Sequence, residues 1–492
     1  MPIQQMFLGI GAEDDVFQIR VYQAASSVGS GEWRNTGGEP QGYFQYSDGS
    51  YLLCAQAPGA TNIQTDTTNT AVACITNDKA TGFTKSVNHW STTHGADRIS
   101  VYPYRGSRTS GKDMTIISVQ GFAGQWQGGT HSGSGSTTWN GRWFLIQDSL
   151  SNNCANLKKW NWHPAGYWTD NSFTIRTKDG SDNKYFFVTA DNASTPASRG
   201  NVRWGDMTIS SSAISLDNIR RLGGDNRNGM TLNTWTSDGS YLYIHGVNME
   251  THSRSKPYIM KCTASGITWY REHQVGSQNC YGGGACEVDS SGNVYYVGRH
   301  RKNNAWQPVI KKLNSSGTTQ WSVSWDDNHE CMGSAINGSK LYLAWAKSND
   351  IIITEHDTSD GSINWQNKIS IASGAYSFTQ ESGVMQLNKD NNLDLYMQMR
   401  DTGSVIYDQG IGLFSGIPGD GSVGNGKIGS EITYATSTSI PTPSSYTGFS
   451  TTTNWGSMNH TGVSNANDFD NYTGSGLDSN NTDSQLTNIN KN

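Results

Sequence analysis

Asp326-Asp-Asn-His-Glu-Cys331 is the densest run of polar, metal-competent side chains in the sequence. Carboxylate, imidazole and thiol together are the donor set of a zinc site. Successive side chains on a strand point to opposite faces, so only the alternate residues Asp327, His329 and Cys331 could share an ion. The competing reading, a loop that enters the next strand, is the expectation, and no metal site is assigned. A second cluster, Trp160-Asn-Trp-His-Pro-Ala-Gly-Tyr-Trp168, offers a different chemistry. Exposed indole and phenol rings stack on the apolar faces of sugars while polar neighbours bond the hydroxyls. Trp160, Trp162, Tyr167 and Trp168 are therefore the candidate binding residues. The alternative is that Trp160 wedges between packed sheets and the others fill a loop.

Catalytic constellations do not emerge. There is no Walker loop, no HExxH, no Gly-x-Ser-x-Gly elbow after a strand and no CxxC pair. His245, His252, His300 and His356 fall near strand ends and read as structural or surface histidines. Arg299-His-Arg-Lys302 is too short a basic patch for nucleic acid and reads as a solvated loop. The expectation is a chain that is not an enzyme, with no catalytic residues and no cofactor.

The elements that must position these residues are short strands. Gly282 to Trp325 divides into four of them, separated by Ser290-Ser-Gly-Asn, by the run after Gly298 and by Asn314-Ser-Ser-Gly. Four antiparallel strands in about forty-five residues make one blade of a β-propeller, a unit that cannot bury both of its faces alone. The unit recurs. Turn glycines return at 239, 292 and 338, and tryptophans return at 269, 321 and 365. Each tryptophan follows its glycine at nearly the same interval, so two markers advance together. Trp269, Trp321 and Trp365 are read as the residues that dock one blade on the next. Fainter copies begin at Ser47, Asn140, Asp179 and Asp390, giving seven. Asp113-Met-Thr-Ile-Ile-Ser-Val is either an outer strand or an eighth blade. Seven four-stranded blades is the count adopted, with six and eight left open.

Composition agrees with an all-β protein rich in turns. The 492 residues are 15% charged and 11% aromatic, with 56 Gly and 17 Trp. A net charge of −6 argues against a nucleic-acid surface, and no run of eighteen apolar residues predicts a membrane span. The first residues lack the basic and long apolar regions of a secretory signal. The seven cysteines, at 54, 74, 154, 262, 280, 286 and 331, are odd in number and mostly inside expected strands, which reads as reduced, buried thiols made in a cytoplasm. Residues 1–30 are read as a docking arm, with Met6, Phe7 and Leu8 at its apolar centre, and a strand at Val16-Phe-Gln-Ile-Arg-Val-Tyr that completes the last blade. Residues 31–430 form the propeller. Residues 431–492, dominated by Ser, Thr, Asn and Gly, cannot build a core and are read as an extended tail over the propeller or a neighbouring subunit.

Two resemblances follow from these residues. Val288-Asp-Ser-Ser-Gly-Asn-Val-Tyr-Tyr-Val-Gly, with Val309 to Trp321, resembles the bacterial propeller repeat of the SBBP type. Asp357-Thr-Ser-Asp-Gly-Ser-Ile-Asn-Trp365 is similar to the tryptophan-docking repeat of quinoprotein dehydrogenases. Both imply architecture and say little about activity. Met1-Pro-Ile-Gln-Gln-Met-Phe-Leu-Gly-Ile-Gly-Ala is similar to the opening of structural proteins of tailed phages, marine cyanophages in particular. That implies a virion component on the particle exterior: a tail fibre, tail tip or head decoration assembled in the host cytoplasm. Its partners would be other virion proteins, copies of itself and a host surface glycan. The alternative is a secreted or cell-surface bacterial propeller that binds glycans, forms filaments, or is a degenerate quinoprotein-like enzyme.

Overall fold

The computed structural model describes strand segments from residue 18 to residue 470, with most of their turns from residue 229 onward, and side chains within residues 176–446. After β1 (Gln18–Tyr22) the strands follow in sets of four. The first sheet holds β2 (Tyr43–Gln45), β3 (Tyr51–Ala57), β4 (Thr70–Thr76) and β5 (Lys85–His89). The second holds β6 (Ala96–Pro103), β7 (Thr115–Gly121), β8 (Arg142–Gln147) and β9 (Lys158–Trp162). The third holds β10 (Asn171–Thr177), β11 (Lys184–Asp191), β12 (Asn201–Ile209) and β13 (Ile214–Gly223). The fourth holds β14 (Gly229–Ser237), β15 (Leu242–Thr251), β16 (Arg254–Thr263) and β17 (Gly266–Gln274).

The fifth sheet holds β18 (Cys280–Val288), β19 (Val294–Lys302), β20 (Ala305–Leu313) and β21 (Thr319–Ser324). The sixth holds β22 (Glu330–Asn337), β23 (Lys340–Lys347), β24 (Asp350–Asp357) and β25 (Ile363–Ile371). The seventh holds β26 (Tyr376–Leu387), β27 (Leu393–Asp401) and β28 (Gln409–Ile417), and its fourth strand is β1, paired antiparallel with β28 from Gln18↔Ser415 to Tyr22↔Ile411. The stretch from Asp113 contributes β7, the second strand of the second sheet, so it is neither an outer strand nor a separate blade.

All pairings are antiparallel, and the first strand of each sheet lies against the first strand of the next from β2 through β26. This is the all-β propeller architecture, with sheets packed face to face about an axis. Side chains alternate between the two faces of each strand, and each face belongs to a different core. Leu242 and Ile244 pack with Phe186, Val188, Val202 and Trp204 of the third sheet. Tyr243, between them in sequence, packs the other way with Cys286, Val294, Tyr296 and Leu313 of the fifth. The sixth sheet repeats the pattern. Leu341 and Leu343 join Tyr295 and Val297 of the fifth, whereas Tyr342 and Ala344 join Leu395 and Phe414 of the seventh. Near the axis the first strands approach so closely that side chains are excluded. A Cβ on Gly284 would stand 2.7 Å from the Cys331 carbonyl oxygen, and one on Gly333 would stand 2.9 Å from the Met385 nitrogen. Both glycines lie at breaks in strand register that bring the backbones together.

At one end of the sheets, tight turns carry the repeat. Asp289 Oδ1 accepts the N–H groups of Ser291 and Asn293, and Asn314 Oδ1 those of Ser316 and Thr318. Asn388 Oδ1 accepts those of Asp390 and Asn392 in the same way. An indole from the preceding sheet covers the next sheet's turn. Trp204 Nε1 donates to the Thr263 carbonyl at 2.9 Å, Trp269 to Ser315 at 2.9 Å and Trp321 to Thr358 at 3.0 Å. Trp365 lies over Gly421 and donates to Glu355 Oε2 at 2.8 Å. Gly317, Gly361 and Gly421 have φ of +78°, +81° and +78°, and a Cβ on any of them would lie within 2.9 Å of the covering indole. Backbone conformation and indole contact both demand glycine there.

Polar groups are also buried between the fourth and fifth sheets. Lys311 Nζ lies 2.9 Å from His273 Nδ1, and the rings of His245 and His273 lie 5.0 and 5.4 Å from that of Tyr296. Lys311 is 2% exposed, and burial lowers its ammonium from the usual 10.5 to about 8. Between pH 8 and 10.5 the unfolded chain therefore binds more protons at this lysine than the folded chain, and Lys311 opposes folding most below pH 8. Lys311→Met is expected to stabilise the fold by about 1–2 kcal/mol at pH 7. The gain should shrink as the pH rises from 8 towards 10, since cysteines and tyrosines titrate alike in parent and variant and cancel in the difference. Urea midpoints at three pH values check this, and a gain independent of pH would show that packing alone is responsible.

After β28 the chain continues as β29 (Gly426–Ile428) and β30 (Ile432–Thr436), both in the sixth sheet. It then forms β31 (Ser444–Ser445) on the fifth sheet, β32 (Ser450–Thr452) on the fourth, β33 (Asn459–Gly462) on the third and β34 (Phe469–Asp470) on the second. The tail thus runs backwards round the propeller and adds an outer strand to one sheet after another.

Candidate functional site

The turn end of the sheets is occupied by its own packing. The other end carries the links between second and third strands and between consecutive sheets, and these do not repeat in sequence. Between the fifth and sixth sheets they bring together Arg299 at the end of β19, Trp306 and Gln307 at the start of β20, the loop Asp326–His329, Glu330 at the start of β22 and Lys347 at the end of β23. Arg299 Nη1 pairs with Glu330 Oε1 at 2.7 Å, and its guanidinium carbon lies 5.3 Å from the Trp306 ring centre. Gln307 Nε2 donates to Asp326 Oδ1 at 2.6 Å. Lys347 Nζ donates to both carboxylate oxygens of Asp327, at 2.6 and 2.7 Å.

Beneath this surface lies His329, 2% exposed, with Nδ1 3.6 Å from Asp327 Oδ2. Burial lowers the His329 pKa, which keeps the ring neutral at pH 7. Burial acts to raise Asp327, but the Lys347 ammonium and the adjacent imidazole outweigh it and hold the carboxyl below its usual range. Mixed fixed charges beside a half-buried indole can bond hydroxyls while offering a flat apolar face, a combination suited to polyhydroxylated ligands.

Asp327, His329 and Cys331 do not converge on one point. The Cys331 thiol is buried and faces the Gly333 carbonyl at 3.7 Å, while Asp327 is taken by Lys347. No group of three metal-competent side chains stands together among the described residues. Cys262, Cys286 and Cys331 are buried free thiols. The basic run at 299–302 is the end of a strand, not a loop. His300 points inward, is buried and meets Tyr446 of the tail at 4.8 Å between ring centres. His245 and His356 are likewise buried, and His252 lies outside the described residues.

Trp160 and Trp162 sit on β9, the strand between β8 and β34, with Trp162 opposite Phe469. Tyr167 and Trp168 lie outside the described residues, as do Met6, Phe7 and Leu8. The convergence of Arg299, Trp306 and Glu330 is invisible in sequence, where the rest of β20 and all of β21 stand between Trp306 and Glu330. The available signal was the alternation of Arg299 and Arg301 about an inward His300.

No protein-family model matches the chain, and no curated protein sequence matches it. Solved structures of similar shape include the neuraminidase-like protein from A/bat/Guatemala/164/2009, at 9% identity over 65% of this chain and 88% of that one, with a TM-score of 0.37. NanB, in complex with optactamide, is 10% identical over 77% of this chain and 68% of its own, with a TM-score of 0.38. The endosialidase of phage phi92 is 9% identical over 82% of this chain and 70% of its own, with a TM-score of 0.39. The expectation of a chain that is not an enzyme is corrected at this point, because an endosialidase stands among the structures similar in shape. Absence of a familiar motif was its only support, and an active site assembled from several blades leaves no contiguous motif to find. What this chain shares with these proteins is an all-β architecture of antiparallel sheets arranged as a propeller.

Proposed function

We propose that this chain is a virion-exterior protein of a tailed bacteriophage whose propeller engages host-surface carbohydrate at the non-repeating end of its sheets. The observation that carries the reading is the Arg299–Glu330 pair lying over Trp306, with the Asp326–Lys347 group beside it. Charged donors and acceptors ordered around an aromatic face suit a sugar, and the opposite end of the sheets is taken up by indoles and turns. The phage-like opening Met1 to Ala12 and the aromatic run Trp160–Trp168 support the same reading.

The ligand class is tested with surface oligosaccharides of the host cell. Trp306→Ala and Arg299→Ala are each expected to weaken binding about 10-fold or more, equivalent to ~1.4 kcal/mol, without lowering the melting temperature in proportion. The same incubations, followed for released reducing ends, read cleavage. Unchanged binding in both variants would remove the carbohydrate site from this end of the sheets. The virion assignment is tested separately by mass spectrometry of gradient-purified particles. Finding the protein in lysate but never in particles would overturn it.

A further inference from the structure

Where the tail crosses from the sixth sheet to the fifth, it passes directly behind the non-repeating end of the sheets. Ile440 is buried in the core that holds Trp325 and Trp345. The Gln366 side chain holds its main chain twice: Nε2 donates to the Ile440 carbonyl at 3.0 Å, and Oε1 accepts the Ile440 N–H at 2.9 Å. Ser444 and Ser445 then pair with Ser324 and Val323, the last two residues of β21. The Tyr446 N–H donates to the Ser322 carbonyl at 2.8 Å. Its ring centre lies 4.8 Å from that of His300, and its hydroxyl 3.4 Å from His300 Nδ1.

These contacts fall on the neighbours of the candidate site. Ser324 and Trp325 lead directly into Asp326, and His300 follows Arg299. His300 stands opposite Gln307 on β20, whose amide holds Asp326 at 2.6 Å. Opposite residues of an antiparallel pair share a face, so Tyr446 backs the face that carries His300 and Gln307. Arg299 leaves the other face towards Glu330 and Trp306.

We infer that Ile440 and Tyr446 are positioning residues for Arg299, Trp306 and Asp326, and that this group keeps its arrangement only while the tail is docked. Side chains that bind through fixed geometry need neighbours locked by packing, and on this side the tail supplies them. The tail itself is held by few anchors, since Pro441, Thr442, Ser444 and Ser445 are exposed. A segment so held opens before the sheets do, and its release loosens both halves of the group together. A ligand bound there strengthens the hold of the tail by the factor with which the tail strengthens binding. That consequence rests on the carbohydrate reading above, whereas the positioning itself does not.

The full-length chain and its variants Tyr446→Ala and Ile440→Ala are compared by amide hydrogen exchange and by binding to an array of bacterial surface oligosaccharides. Exchange at residues 299–302 and 305–307 is expected to speed up about 10-fold in both variants, while exchange in β15 keeps the parent rate. Oligosaccharide binding should weaken about 10-fold alongside. Tyr446→Phe, which keeps the ring, should restore both readings. Oligosaccharide bound to the parent should in turn slow exchange at residues 444–446. Parent-like exchange at 299–302 and 305–307 in both alanine variants would overturn the positioning role. Faster exchange in β15 as well would also overturn it, in favour of a general loss of stability. A parent that binds no oligosaccharide, with exchange changed as expected, would remove the carbohydrate reading and support the positioning role.

Discussion

Lowering the pH from 6.5 to 4 is expected to cost the fold about 6 kcal/mol through two histidines alone. Burial lowers His245 and His356 from the usual 6.5 to about 4. His356 is satisfied as the neutral ring: Nδ1–H donates to the Gly361 carbonyl at 3.0 Å, and Nε2 accepts the Thr354 hydroxyl at 3.0 Å. A second proton would break the latter bond. His245 has carbonyls on both nitrogens, of Tyr258 at 2.7 Å and Val297 at 3.1 Å, and these favour the charged ring without overcoming its burial. For a group whose folded pKa is lowered below its unfolded value, the unfolded chain binds the extra proton between the two. Stability is then whole above pH 6.5 and is lost as the pH falls towards 4, at about 3 kcal/mol for each histidine.

The carboxylates held low, Asp289 and Asp327 among them, act in a different window, below the ordinary value of 3.8. Denaturant midpoints followed by tryptophan fluorescence from pH 7 to pH 4 measure the loss. The double variant His245→Gln, His356→Gln should reduce the slope between pH 6.5 and 4 and leave the share of His273 and His329, which burial also lowers. A slope unchanged in the double variant would assign the acid sensitivity elsewhere.

Trp204→Ala is expected to cost about 3–5 kcal/mol, the range for truncating a fully buried large aromatic. Trp204 is 0% exposed, packs with Leu242, Ile244 and Met260 of the next sheet, and donates to the carbonyl at the Thr263 turn. Removing the ring opens a cavity between two sheets and leaves that carbonyl without its indole partner. Trp204→Phe keeps most of the volume and loses the N–H, so it should cost about 1–2 kcal/mol. Equal losses in the two variants would mean that the hydrogen bond, and not the packed ring, joins the sheets there. Thermal or urea unfolding of both proteins decides between these outcomes.

The architecture was legible because two residue types recur in step with the strands. Uniform strand lengths space both evenly, so Trp269, Trp321 and Trp365 advance with Gly239, Gly292 and Gly338, while the glycines under those indoles are Gly317, Gly361 and Gly421 of the following sheet. Trp204 likewise donates to a turn of the next sheet but stands in a less regular copy, and its role shows only in the packed structure. The stretch 115–121 carried a strand pattern whose place was undetermined, since alternation gives a strand its faces and not its neighbours.

The site was less legible. Arg299 pairs with Glu330 across two sheets, and nothing local to either residue encodes the meeting. Composition and spacing by themselves determined an all-β chain of stacked four-stranded units, because burial on both faces and turn chemistry leave marks on side chains. The path of residues 432–470 was decided only by tertiary structure. Ser444–Ser445 and Ser450–Thr452 join sheets through main-chain N–H and C=O groups, which nearly every residue carries, and such pairing leaves almost no signature in the side chains.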